Sequence, residues 1–313
     1  VYRVLLVDDE EYVLNALRRE LLSKPDIGHD GLEIEAFTSP VRALERAREP
    51  EGYFDIAIVD YAMPAVDGVA FFTEFRKIQP DAARILLTAQ AGVEGAIGAI
   101  NQARVDGLVT KPWHEYDLKG RIALAIHQRE LERENRRRAD TLRSQPEFAE
   151  ALTRRRETYR LMLVDDDEKV LRALERELSE GGAATAGHRP LFSIVSYAFP
   201  MEALYAAEKH APDLVIADYS MPLMNGVMFF HRLRQLCPDT VRILLSGRAD
   251  IGVLADAINI AGVYHFIGKP WEAAELKTAM AQALVYHDVL SETRLLAQLL
   301  EREGGGQEGM TRG

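Results

Sequence analysis

One pattern runs through this chain twice, and that repeat constrains the fold more than any other feature of the sequence. Val4-Leu5-Leu6-Val7-Asp8-Asp9-Glu10 returns as Leu161-Met162-Leu163-Val164-Asp165-Asp166-Asp167, 157 residues on. Asp60-Tyr61-Ala62-Met63-Pro64 returns as Asp218-Tyr219-Ser220-Met221-Pro222, 158 residues on. Arg84-Ile85-Leu86-Leu87-Thr88 returns as Arg242-Ile243-Leu244-Leu245-Ser246, and Lys111-Pro112-Trp113 as Lys269-Pro270-Trp271, at that same spacing. The matches include polar residues at the ends of apolar runs. A shared core pattern alone would not reproduce those, so a functional unit has been duplicated.

Each copy alternates short aliphatic runs with longer segments of helical period, the signature of a parallel sheet covered on both faces. In the first copy strands are expected at Val4–Val7, Leu32–Phe37, Ile56–Val59, Arg84–Leu87 and Gly107–Thr110. Helices are expected at Glu11–Leu22, Pro40–Arg48, Gly68–Ile78 and Val93–Ala103, with a fifth starting near Glu115. The order is (βα)5, and right-handed crossovers make it a doubly wound α/β sheet of five parallel strands. At 313 residues, two such domains joined by a helical linker account for the chain.

Ligands of open parallel sheets gather at the carboxyl ends of the strands. Those ends carry Asp8, Asp9, Asp60, Thr88 and Lys111 in one copy, and Asp165, Asp166, Asp218, Ser246 and Lys269 in the other. Carboxylates crowded together disfavour joint ionisation. A hard divalent cation such as Mg2+ relieves the conflict, because it takes oxygen ligands and keeps water positions open. One carboxylate, a cation, an ammonium and a hydroxyl are what stabilisation of a transferring phosphoryl group requires, with the free carboxylate as nucleophile. Singly, each residue has a plainer reading as a solvated strand end, a loop lysine or a helix cap. Together and in duplicate, they favour the chemistry.

Over about 125 residues each, both copies resemble the CheY-like receiver domains of bacterial-type two-component response regulators, which have a flavodoxin-like fold. The resemblance implies that Asp60 and Asp218 are phosphoacceptors. It implies that Asp9 and Asp166 ligate Mg2+ directly, Asp8 and Asp165 mostly through water, with the carbonyls of Ala62 and Ser220 completing the shell. Thr88 and Ser246 would hydrogen-bond the phosphoryl group, Lys111 and Lys269 would pair with it, and the Lys-Pro bond is expected to form a rigid turn, cis in the family. Three residues before the lysine the family carries an aromatic switch. The second copy has Phe266 there and the first has Leu108, so the first is expected to couple more weakly or through another surface. The residues two after each acceptor and each hydroxyl, Ala62 with Gln90 and Ser220 with Arg248, line the path of the hydrolytic water in the family. Different phosphoryl lifetimes follow.

The expected domains are 1–127 and 158–290 as receivers, 128–157 as helical linker, and 291–313 as the end of a helix and a flexible tail opening at Gly304-Gly305-Gly306. In the linker, the fifth helix overshoots and breaks near Ser144, where Ser144-Gln145-Pro146-Glu147 offers a capping box for a second short helix. Arg136-Arg137-Arg138 and Arg154-Arg155-Arg156 are interleaved with glutamates and read as an ion-paired helix face. A net charge of −11 also argues against binding nucleic acid, which depends on Lys and Arg. The apolar run Leu284, Tyr286, Leu290, Leu295, Leu296, Leu299 and Leu300 suits packing on its own domain, a homodimer or an effector equally. No membrane span, helix-turn-helix, nucleotide loop or paired-His motif is legible, and the single Cys237 reads as packing in a reducing, cytoplasmic setting.

The expected function is that of a two-component response regulator. It takes phosphoryl groups from a histidine kinase or phosphotransfer protein and changes its contacts with a downstream effector, without being an enzyme beyond its own phosphorylation and hydrolysis. The segment Arg242–Trp271, with the Glu-rich helix after it, is also similar to receivers that precede cyclic-di-GMP phosphodiesterase or cyclase domains. One rival is an Asp-based phosphohydrolase, which usually needs a second Asp two residues after the nucleophile, where Ala62 and Ser220 stand. The other is an unphosphorylated scaffold, which would not need both pockets intact.

Overall fold

The computed structural model describes residues 1–23, 31–89, 93–113, 115–143, 158–179, 191–247 and 251–307. In the first copy the order is β1 (Tyr2–Val7), α1 (Glu11–Leu22), β2 (Leu32–Phe37), α2 (Pro40–Arg48), β3 (Ile56–Asp60), α3 (Gly68–Ile78), β4 (Ala83–Thr88), α4 (Val93–Gly98), β5 (Gly107–Thr110) and α5 (Glu115–Arg143). The second gives β6 (Thr158–Val164), α6 (Glu168–Ser179), β7 (Leu191–Tyr197), α7 (Pro200–Lys209), β8 (Leu214–Asp218), α8 (Gly226–Leu236), β9 (Val241–Ser246), α9 (Ile251–Asp256), β10 (His265–Gly268) and α10 (Ala273–Gln307). All pairings are parallel, in the orders β2-β1-β3-β4-β5 and β7-β6-β8-β9-β10. The expected fold class is therefore present twice.

Local chemistry explains the element boundaries. Pro40 opens α2 behind the N-cap Ser39, and Asp67 caps α3 by accepting the Ala70 N–H at 2.8 Å. Asn225 caps α8 in the same way through Met228 N–H. The central strands β3 and β8 are buried along their whole length, which is why Ile56-Ala57-Ile58-Val59 and Leu214-Val215-Ile216-Ala217 are continuous apolar runs and do not alternate. Leu14, Leu17, Leu118, Ile122 and Ile126 seal one face of the first sheet, and Phe71, Phe72 and Phe75 of α3 are fully buried.

One expectation is corrected. Val93–Ala103 is not one α-helix: α4 stops at Gly98 and Ala99–Ala103 forms a π turn, matched by Ala257–Ala261 after α9. Buried Ala99 and Ala103 let the wide turn sit close to α3, and it ends on a left-handed residue, Arg104, where the second copy has Gly262. The α10 helix is described as far as Gln307, across Gly304-Gly305-Gly306. The α5 helix is described as far as Arg143; the expected break near Ser144, the capping box and Arg154-Arg155-Arg156 lie outside the described residues.

The chain folds as two compact units. Val1–Glu130 groups with Ala249–Tyr264, and Leu131–Arg248 with His265–Gly313. Among the described residues no helix is long and apolar enough to cross a membrane.

Candidate phosphoacceptor pockets

The strand order places the carboxyl ends of β1, β3, β4 and β5 side by side, and with them Asp8, Asp60, Thr88 and Lys111. Asp8 and Asp60 are buried, and the Lys111 ammonium bridges them, 2.7 Å from Asp8 Oδ2 and 2.5 Å from Asp60 Oδ1. The second pocket repeats this geometry. Lys269 Nζ stands 2.6 Å from Asp165 Oδ2 and 2.5 Å from Asp218 Oδ1. Both lysines thus reach the acid that the repeat pairs them with.

Each acid is aimed by the backbone. Asp60 Oδ2 accepts the Ala62 N–H at 2.8 Å and Asp218 Oδ2 the Ser220 N–H at 2.5 Å. Asp8 and Asp165 accept the N–H groups of Glu10 and Asp167 at 3.0 and 2.9 Å. Both Lys111-Pro112 and Lys269-Pro270 are cis.

Burial raises the pKa of Asp8 and of Asp165, against the lowering effect of the lysine hydrogen bonds. Burial also works against the Lys111 and Lys269 ammonium groups, but hydrogen bonds to the paired acids outweigh it and hold both above the usual lysine value. Each pocket thus sets two carboxyl groups against one ammonium, with burial disfavouring the charged form of Asp8 and of Asp165.

Asp9 and Asp166 are exposed and stand outside the lysine-bridged sets, so among the described residues no three acidic side chains form a ready metal cage. The donor set nevertheless suits a hard cation, being carboxylate and carbonyl oxygen, and the buried Thr88 Oγ1 has no hydrogen-bond partner. An orphaned hydroxyl beside two buried acids is the feature that a bound oxyanion would satisfy. Ser246 is buried at the equivalent place, and Leu108 and Phe266 are both buried. Gln90 and Arg248 lie outside the described residues.

Sequence reasoning passed over Gly68 and Gly226. A Cβ on Gly68 would stand 2.5 Å from the Asp60 carbonyl oxygen and 2.6 Å from Leu86 Cδ1; on Gly226 it would stand 2.4 Å from the Asp218 carbonyl oxygen. Only glycine lets α3 and α8 start that close behind the acid. Their recurrence eight residues after each acceptor was the available signal.

A doubly wound parallel sheet with a lysine bridging two buried acids at its switch point defines a class of small α/β signalling domain. Comparison with known proteins gives the family: the response regulator receiver domain matches residues 4–123 and 161–281, and the chain belongs to it, with two copies. It is 31% identical over 146 residues to the C4-dicarboxylate transport transcriptional regulatory protein DctD of Rhizobium meliloti (strain 1021), covering 47% of this chain and 30% of that protein. It is 32% identical over 126 residues to the transcriptional regulatory protein PrrA of Mycobacterium bovis (strain ATCC BAA-935 / AF2122/97), covering 40% of this chain and 49% of that one. The chain thus spans less than half the length of these relatives. A solved signal receiver domain of an HD domain-containing protein from Pseudomonas fluorescens Pf-5 is 32% identical, with a TM-score of 0.38 over 42% of this chain and 97% of that one.

Proposed function

We propose that both receivers accept a phosphoryl group, on Asp60 and on Asp218, from a phosphohistidine of a histidine kinase or phosphotransfer protein, and that the acyl phosphates change the chain's contacts with a downstream effector. The observation that carries this is the duplicated bridge of one ammonium to two buried carboxylates, with an orphaned hydroxyl beside it in the first copy.

The backbone N–H of Ala62 or Ser220 fixes the rotamer of its acid, so that one carboxylate oxygen faces the incoming phosphorus. The P–N bond of the donor breaks as the P–O bond to the aspartate forms, and the leaving imidazole takes a proton from solvent. Lys111 or Lys269, already hydrogen-bonded to the acid, shifts to the phosphoryl oxygens, while Thr88 or Ser246 donates to another. Asp8, Asp9, Asp60 and the Ala62 carbonyl, or Asp165, Asp166, Asp218 and the Ser220 carbonyl, would hold a Mg2+ ion, which would supply neutralising charge to the phosphoryl oxygens. The protein is no enzyme toward other substrates, since Ala62 and Ser220 stand where a phosphohydrolase would need its second acid. The setting is cytoplasmic, and a homodimer through α5 or α10 is compatible with the two long helices.

Incubation with Mg2+ and acetyl phosphate, followed by trapping of acyl phosphates and peptide mass spectrometry, is expected to label Asp60 and Asp218. Each label should disappear in its own Asp→Asn variant. Absence of label from both would favour the scaffold reading.

A further inference from the structure

One of the two open edges of the first sheet is β5, whose Leu108 directs its backbone N–H and C=O away from β4. Such an edge normally meets water or another strand. Here one side chain satisfies both groups: Asn259 Oδ1 accepts the Leu108 N–H at 2.9 Å, and Asn259 Nδ2 donates to the Leu108 carbonyl at 2.9 Å. A carboxamide is the one neutral side-chain group that offers donor and acceptor at strand-like spacing.

Asn259 sits in the π turn Ala257–Ala261, inside the segment Ala249–Tyr264 that groups with the first unit. A second contact anchors the same segment. Arg104 holds a left-handed backbone (φ 52°) where its counterpart in the repeat is Gly262 (φ 58°), an unfavourable conformation for any residue with a Cβ. Its guanidinium carbon lies 3.6 Å from the centre of the Tyr264 ring and its Nη1 donates to the Tyr264 carbonyl. Strain retained at a residue whose side chain makes such a contact points to a role for that contact.

In chain order the anchored segment runs between Ser246 and Lys269, the hydroxyl and ammonium of the second pocket. The strand it grips leads directly from Leu108, the switch position, to Lys111 of the first. We infer that Asn259 and Arg104 form a clasp through which phosphorylation at Asp60 sets the rate of phosphorylation at Asp218, the backbone of β5 acting where Leu108 replaces an aromatic switch. This rests on the function proposed above. It also gives the first receiver a route to a readout that its leucine would otherwise lack. Linkage makes the effect reciprocal in the equilibrium occupancies.

The test uses the full chain with Mg2+ and acetyl phosphate, following label at Asp218 over time in the wild type and in Asp60→Asn. The two rates are expected to differ by about five-fold or more, the low end of ordinary coupling between sites. Their ratio is expected to fall to about one when Arg104→Gly or Asn259→Ala is added. Arg104→Gly is the cleaner variant, because glycine suits the left-handed backbone and leaves the second pocket's own sequence intact. Equal rates in wild type and Asp60→Asn, with both aspartates labelled in the wild type, would overturn the clasp and leave the proposed function standing. So would a ratio that survives both clasp variants. Failure to label either aspartate would overturn both readings.

Discussion

Lys111 is the cation that bridges two buried acids, and a buried pair that loses one member leaves an uncompensated charge. Lys111→Met is therefore expected to destabilise the first receiver by about 3 kcal/mol in chelator. Added Mg2+ should restore part of the loss, which Trp113 fluorescence in a Trp271→Phe background would read during urea titration. At position 79 and its repeat counterpart 237 the two copies solve one packing problem differently. Gln79 holds the Phe54 N–H and the carbonyls of Ala47 and Gly52, whereas Cys237 is buried with its thiol toward the Ala207 carbonyl. Burial pushes the Cys237 thiol up from its ordinary 9.0, against a lowering contribution from Thr240. Since the thiolate is the nucleophile, the pH profile of alkylation in the native protein should be displaced above 9.0, returning to the ordinary value in urea. A profile at the ordinary value in the native state would show an accessible thiol.

Helices α3 and α8 begin against the backbone of the acid they follow, and this is a property of the element as much as of the glycine that permits it. Gly68→Ala would push on the Asp60 carbonyl at 2.5 Å, with Leu86 as the second obstruction. It is expected to destabilise by about 1–3 kcal/mol, the range for overpacking. Labelling of Asp60 should slow while Asp218 is labelled at its usual rate, measured in the same trapping experiment; equal slowing at both would show a global effect. The π turns are the element that helical periodicity does not reveal. Ala99, Ile100 and Ala103 are buried at spacings an α-helix would share, and the π turn differs from it in the backbone hydrogen bonding.

Across the whole molecule, the sheet orders and pocket distances agree between copies, and the main divergence is Leu108 against Phe266. With Mg2+ and beryllium fluoride as a phosphoryl mimic, hydrogen exchange around β10 is expected to change more than around β5. Equal changes at both strands would remove the distinction. The sequence by itself determined the two (βα)5 sheets and brought Asp8, Asp60, Thr88 and Lys111, with their counterparts, to one end of each. Period and strand-end position are local properties, and the repeat read them twice. Tertiary structure alone decided that Asp9 and Asp166 stay outside the lysine bridge, that Gly68 and Gly226 are held by contact, and that Asn259 meets the edge of β5. Those facts depend on distances between segments far apart in the chain, which packing sets and local pattern does not encode.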